Sequence, residues 1–161
     1  MTTLERPAVE GRNPPAWTTA LGNPLLHWLL TRSRPPKALT KELMVLRFRG
    51  RTTGKPYELV VARYDLDGTM FTTTKRRWRF NMRGGAEVEL VLEGHRRPAR
   101  AVLVEDPDEV ARIYLRLLER VGHRRASRVG LRVNVDRLPT VEELRVAVVE
   151  AGLALIRYEL R

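Results

Sequence analysis

The amino-acid sequence predicts an α+β fold, an antiparallel β-barrel of about six strands with an N-terminal helix and C-terminal helices. Three observations predict it. Between Leu43 and Val104, apolar and polar residues alternate in short segments at hairpin spacing. Two helix-start signatures, Asp106-Pro107 and Thr140 with Glu143, fall after these segments rather than between them. The resulting order is helix, five strands, helices, strand, which is not the strict alternation that builds a parallel sheet.

Residues 1–15, with Pro7, Gly11, Pro14 and Pro15 among polar groups, read as a disordered tail, and 16–161 as a single barrel domain. Asn23-Pro24 reads as an N-cap and first helical residue. The helix behind it carries Leu25, Leu26, Trp28, Leu29 and Leu30 and breaks before Pro35-Pro36. It suits packing across a sheet. With Arg32, Arg34 and Lys37 beside it, it also suits a peripheral membrane contact.

Leu43–Arg49 places Met44, Leu46 and Phe48 on a core face and Leu43, Val45, Arg47 and Arg49 on the other. Glu58–Tyr64 follows, and Asp67-Gly68 closes a hairpin onto Thr69–Thr74. Glu87–Leu92 alternates, with Val88, Leu90 and Leu92 on one face. Gly94-His95 then turns the chain into Pro98–Val104. Behind Asp106, residues Val110, Ile113, Tyr114, Leu117, Leu118 and Val121 recur at helical spacing up to Gly122. His123–Arg137 is basic and irregular. A second helix runs from its Thr140/Glu143 cap to Gly152, and Leu153–Leu160 forms a last strand.

Composition narrows the function. The chain has 161 residues and 43% hydrophobic content, enough for a core. With no cysteine and three histidines, disulfides, thiolate metal sites and cysteine nucleophiles are excluded, and no metal site is expected. The opening residues lack the order of an export signal, and no apolar run approaches the ~20 residues of a membrane span. A cytoplasmic protein is expected. Thirty Lys+Arg against nineteen Asp+Glu give a net charge of +11, which favours a polyanionic partner or an acidic cofactor.

Two segments concentrate that charge. Gly50-Arg51-Thr52-Thr53-Gly54-Lys55-Pro56 lies between two strands and offers backbone N–H groups, hydroxyls and cations to a phosphate. It lacks the spacing of a P-loop, and a basic hairpin turn fits it as well. Thr72 to Gly85 begins with three hydroxyls and three consecutive cations, then Trp78 and Asn81. This composition suits phosphate beside a stacked ring, single-stranded nucleic acid, or a solvated basic turn.

Together the segments resemble the deazaflavin (F-420)-dependent nitroreductase family, actinobacterial members of the split β-barrel flavin-binding superfamily. Gly50, Arg51, Thr53, Gly54, Lys55 and Pro56 match its G-[RK]-x-[ST]-G-x-P/R loop. Trp78, Asn81, Met82, Arg83, Val88 and Leu90 match its W-x-x-N-[LM]-[KR]-x-x-x-x-V-x-[VL] pattern. The resemblance covers about Asn23 to Arg100. It implies a Greek-key split barrel binding coenzyme F-420, or in related branches flavin mononucleotide (FMN). It assigns the cofactor's phosphate and acidic tail to Arg51, Thr53, Lys55, Thr73, Thr74 and Lys75, with Gly54, Pro56, Trp78 and Asn81 shaping the site. Asn81 is expected to make side-chain to backbone hydrogen bonds, and Trp78 to be structural. The implied reaction is hydride transfer to a hydrophobic quinone-like or unsaturated acceptor, with no catalytic residue designated; Tyr57 and Tyr64 are candidate proton donors. A homodimer is a further implication. Nucleic-acid binding and non-catalytic cofactor carriage remain as alternatives, the nucleic acid being the less favoured partner.

Overall fold

A computed structural model of the protein describes residues 6–12 and 24–161. In chain order the elements are β1 (Val9–Gly11), α1 (Pro24–Thr31), α2 (Lys37–Thr40), β2 (Leu43–Arg49), β3 (Pro56–Ala62), β4 (Tyr64–Leu66) and β5 (Thr69–Thr74). A 3-10 turn (Arg77–Met82) leads to β6 (Ala86–Leu92), β7 (His95–Val104) and α3 (Pro107–Val121). A second 3-10 segment (His123–Val129), β8 (Leu131–Val133), α4 (Val141–Ala151) and β9 (Ala154–Leu160) complete the chain. The elements form two compact units, one within residues 15–103 and 156–161, the other within 1–14 and 104–155.

The first unit is built on a seven-stranded sheet of order β3-β2-β6-β7-β9-β5-β4, whose antiparallel strands curl into a half-barrel. Hairpins set its register. Asp67 and Gly68, at φ 50° and 79°, make the tight turn that pairs Leu66 with Thr69. Glu93 and Gly94 do the same between β6 and β7. A Cβ on Gly94 would also lie 2.6 Å from the Arg32 carbonyl oxygen, so only glycine lets these two backbones pass.

Met44, Leu46 and Phe48 are buried, as alternation requires. Val45 is fully buried as well, because the opposite face of β2 is covered. Leu30 packs on Val45, Val60 and Val91, with Leu26, Leu39 and Leu43 around them. Helix α1 is therefore a packing helix laid across the sheet. Burying a leucine of this kind stabilises by about 1.5–3 kcal/mol. Its outward residues Leu25 and Trp28 remain 61% and 55% exposed, and the Arg32 guanidinium lies 4.9 Å from the Trp28 ring centroid. The expected N-cap, Asn23, lies outside the described residues. No described helix is long and apolar enough to cross a membrane.

In the second unit the caps behave as their sequences require. The Asp106 carboxylate accepts the Glu109 N–H at 3.0 Å, and Pro107 occupies the first turn. Thr140 and Glu143 form a reciprocal capping box, and Arg137 grips Glu143 with two bonds of 2.7 and 3.0 Å. Tyr114, Leu117 and Leu118 of α3 and Leu144, Ala147 and Val148 of α4 supply the apolar core of this helix pair.

Four expectations change. The tail read as disordered over 1–15 contains, in its described part, a strand: Val9–Gly11 pairs with Leu131–Val133, and Val9 is buried. The strand read as Glu58–Tyr64 is two, interrupted at Arg63, whose N–H turns to the Glu42 carbonyl. The strand expected from Pro98 starts at His95, because Glu93 and Gly94 rather than Gly94-His95 take the left-handed positions. The irregular stretch from His123 is ordered as a 3-10 segment, with Ala126 and Val129 buried, followed by β8.

Candidate functional site

The loop between β2 and β3 is closed by its own backbone. The Gly50 N–H donates to the Lys55 carbonyl and the Gly54 N–H to the Gly50 carbonyl, both at 2.8 Å. Thr53 Oγ1 accepts the Lys55 N–H at 3.3 Å, and Arg49 donates to the Gly54 carbonyl at 3.2 Å. A Cβ on Gly50 would stand 2.8 Å from Thr53 Oγ1 and 3.1 Å from the Tyr57 ring, so this position needs glycine for space. The rest of the loop, from Arg51 to Pro56, is exposed.

The second segment leaves β5 with Thr74 Oγ1 accepting the Arg76 N–H at 3.1 Å. It then winds through the 3-10 turn, which inserts Met82 into the core. Asn81 is the joint between the two segments. Its Oδ1 accepts the Arg51 N–H at 2.9 Å, and its Nδ2 donates to the Trp78 carbonyl at 2.8 Å. The Arg51 side chain returns the connection, donating to the Arg83 carbonyl at 2.6 Å. Arg100 donates to the next carbonyl, Gly84, at 3.3 Å. A loop and a turn thirty residues apart are thus fastened by an amide that has both a donor and an acceptor to give.

An aromatic column stands beside this joint. Tyr57 stacks on Phe48 at 5.0 Å and 8°, and Trp78 tilts against Phe48 at 6.0 Å. Phe48 and Tyr57 face each other because the β2–β3 register makes them partners. Tyr57 and Phe48 escaped the sequence reading as a pair, although a hairpin closing at Gly50 and Lys55 places them opposite one another.

Of the ten candidate site residues, Arg51, Trp78 and Asn81 are brought together directly, with Thr53, Gly54, Lys55 and Pro56 on the same closed loop. Thr73, Thr74 and Lys75 lie at the end of β5 and reach the joint through the chain that Thr74 caps. Thr73 bonds the Tyr64 side chain, whose hydroxyl burial pushes above the usual tyrosine range, partly offset by that bond. The neighbouring Thr72 is buried; its hydroxyl donates to the Ala62 carbonyl at 2.8 Å and accepts from Tyr158 at 3.1 Å. Burial likewise raises the Tyr158 hydroxyl. Both tyrosines are therefore protonated at neutral pH, and Tyr158 donates to Thr72.

The electrostatics are one-sided. Residues 48–57 hold Arg49, Arg51 and Lys55, and residues 72–86 hold Lys75, Arg76, Arg77, Arg79 and Arg83, eight cations with no carboxylate between them. The nearby carboxylates on β3 and β6 are already engaged. Arg47 bonds Glu58 at 3.0 Å and Glu89 at 2.9 Å, and His27 of α1 also bonds Glu58. Burial opposes ionisation of Glu58, but its bonds to His27 and Arg47 outweigh that and hold its carboxyl below the usual range. For Arg47 burial is again outweighed, by the bonds to Glu89 and Glu58, and its pKa is raised.

An antiparallel sheet curled into a half-barrel, with a few helices, gives the molecule its class, consistent with a split-barrel fold. No protein-family model matches the chain, and no curated protein does. Among solved structures, the conserved hypothetical protein Rv2991 from Mycobacterium tuberculosis is similar at 17% identity and TM-score 0.46, over 85% of this chain and 78% of that one. An F420 reductase is similar at 16% identity and TM-score 0.41, over 83% of this chain and 90% of that one. Protein Atu2129 (unknown function) from Agrobacterium tumefaciens gives 17% identity and TM-score 0.42, over 92% of this chain but 61% of that one. These TM-scores all lie below 0.5.

Proposed function

We propose that the chain is a deazaflavin-dependent oxidoreductase, binding coenzyme F-420 and passing a hydride to a hydrophobic quinone-like or unsaturated acceptor. The observation that carries the reading is the Asn81 joint. The segments Gly50–Pro56 and Thr72–Gly85 are fastened to each other, and together they hold seven cations and no carboxylate. The donor set fits the group. A cofactor with a phosphodiester and an acidic tail requires guanidinium, ammonium and hydroxyl donors, and a planar ring requires an apolar wall.

When bound, the deazaflavin supplies a two-electron hydride at ring carbon five. The chain's residues do the rest. Arg51, Thr53 and Lys55 would hold the phosphate against the exposed loop, and Thr73, Thr74 and Lys75 the acidic tail. Asn81 keeps the loop and the turn at fixed separation, so the site is organised before ligand arrives. Tyr57 and Trp78, backed by the buried Phe48, would give an apolar wall for the acceptor, with Tyr57 the candidate proton donor.

Titration of the purified chain with coenzyme F-420 tests this reading. Saturable binding at tens of micromolar or tighter, weakened at least ten-fold by Arg51→Gln with Lys55→Gln, is expected. Tight FMN binding with none of F-420 would overturn the cofactor assignment.

A further inference from the structure

Helix α1 carries a face that the sheet does not use. At about 3.6 residues per turn, Leu25, Trp28 and Arg32 share one stripe, turned away from the Leu26 and Leu30 that pack on the sheet. Leu25 and Trp28 are both more than half exposed. The Arg32 guanidinium, 4.9 Å from the Trp28 ring centroid, sets a charge at the edge of this apolar surface. Helix α2 continues the face. Leu39 packs against the same Val45, Val60 and Val91, so both helices lie on one side of the sheet and their exposed residues point away from it. Arg34, Lys37 and Lys41, in and around α2, are among those exposed residues.

The open charge on this side has one sign. Residues 24–41 hold Arg32, Arg34, Lys37 and Lys41 and no Asp or Glu; Glu42 is the first acid beyond them. The carboxylates of the sheet beside α1 are engaged. His27 and Arg47 bond Glu58, and Arg47 bonds Glu89. Glu93, in the turn that passes Arg32, approaches Arg63 at 4.0 Å.

We infer that this face seats the protein on an anionic lipid surface, with Trp28 and Leu25 entering the headgroup boundary and Arg32, Arg34, Lys37 and Lys41 meeting lipid phosphates. An indole suits the border between an apolar layer and water, and long basic side chains extend apolar stems while their charges stay with the headgroups. A second copy of the chain is the poorer occupant, because it would set the same four cations against these four. Two exposed apolar side chains also fall far short of the ~800 Å² per partner of a stable protein interface. None of these residues belongs to the cradle, so the contact stands or falls apart from the cofactor reading.

Co-sedimentation of the full chain with phosphatidylcholine vesicles, with and without phosphatidylglycerol, tests it. Binding about ten-fold tighter or more to the vesicles containing phosphatidylglycerol is expected. Leu25→Ser with Trp28→Ser should weaken it by about ten-fold or more, and so should Arg34→Gln, Lys37→Gln and Lys41→Gln together, each protein keeping its melting temperature. Arg51→Gln with Lys55→Gln, in the cradle, should leave it largely unaltered. Brominated lipid should quench the tryptophan fluorescence of the chain, and Trp28→Phe should remove most of that quenching. Equal binding to both kinds of vesicle, full affinity in either helix variant, loss of affinity in the cradle variant alone, quenching retained in Trp28→Phe, or self-association that the Leu25 and Trp28 substitutions abolish would each overturn the inference.

Discussion

Replacing Asn81 by alanine removes both bonds of the joint between the two basic segments. The side chain accepts the Arg51 N–H at 2.9 Å and donates to the Trp78 carbonyl at 2.8 Å. Each such bond is worth a net ~0.5–1.5 kcal/mol, and the Arg51 bond is exposed, so the sum falls at about 1–2 kcal/mol. For a chain of this size each kcal/mol lowers the melting temperature by ~2–4 °C, giving an expected drop of roughly 2–8 °C by circular dichroism. A merely structural joint would stop there. If the joint also organises the cradle, coenzyme F-420 affinity measured at a temperature where the variant is fully folded should fall several-fold as well. Asn81→Asp separates the two bonds. It keeps the acceptor for Arg51, loses the donor to Trp78 and adds a negative charge to the cradle, so stability should drop and affinity for the acidic coenzyme should fall at least as far as in Asn81→Ala. An Asn81→Ala protein with unchanged melting temperature and unchanged affinity would refute the reasoning.

Three further outcomes follow from the packing and the pKa shifts. Leu30→Ala empties the contact between α1 and Val45, Val60 and Val91, and should cost about 2–5 kcal/mol in denaturant unfolding. Tyr158→Phe deletes the donor to Thr72 Oγ1 but leaves the Thr72 bond to Ala62; a loss of about 0.5–1.5 kcal/mol is expected. The carboxyl of Glu143, bonded by Arg137 and the Thr140 backbone, is held down at about 2, below the usual carboxylate range. A depressed carboxyl contributes stability above its unfolded pKa and loses it as pH falls through the folded one. Melting temperature should therefore decline between pH 4.5 and about 2, and Glu143→Gln should flatten that decline. The pair is exposed, so the effect is small and salt-sensitive.

The parts of the fold legible in the sequence were those decided locally. Asp106-Pro107, Thr140 with Glu143, and Asp67-Gly68 carry their partners within three residues, and each forms as its chemistry requires. Long-range decisions were not legible. Val9–Gly11 is too short to show alternation, and its partner Leu131–Val133 lies some 120 residues away. Val45 and Val91 sit on the face that period-two patterning assigns to solvent; only the arrival of Leu30 from another element buries them. The candidate site divides the same way. The W-x-x-N spacing marked Asn81 as a bonding amide, but not that its acceptor would serve Arg51, thirty residues earlier. The pairing of Phe48 with Tyr57 needed the hairpin register.

The central claim is that the Gly50–Pro56 loop and the Trp78–Asn81 turn form one cradle for an acidic deazaflavin. Its most direct measurement is an equilibrium titration of the purified chain with coenzyme F-420, followed by absorbance or fluorescence of the cofactor and repeated at two salt concentrations. One saturable site at tens of micromolar or tighter is expected, weakened by salt and at least ten-fold by Arg51→Gln with Lys55→Gln. No saturable binding, or binding indifferent to both the salt and the two substitutions, would contradict it.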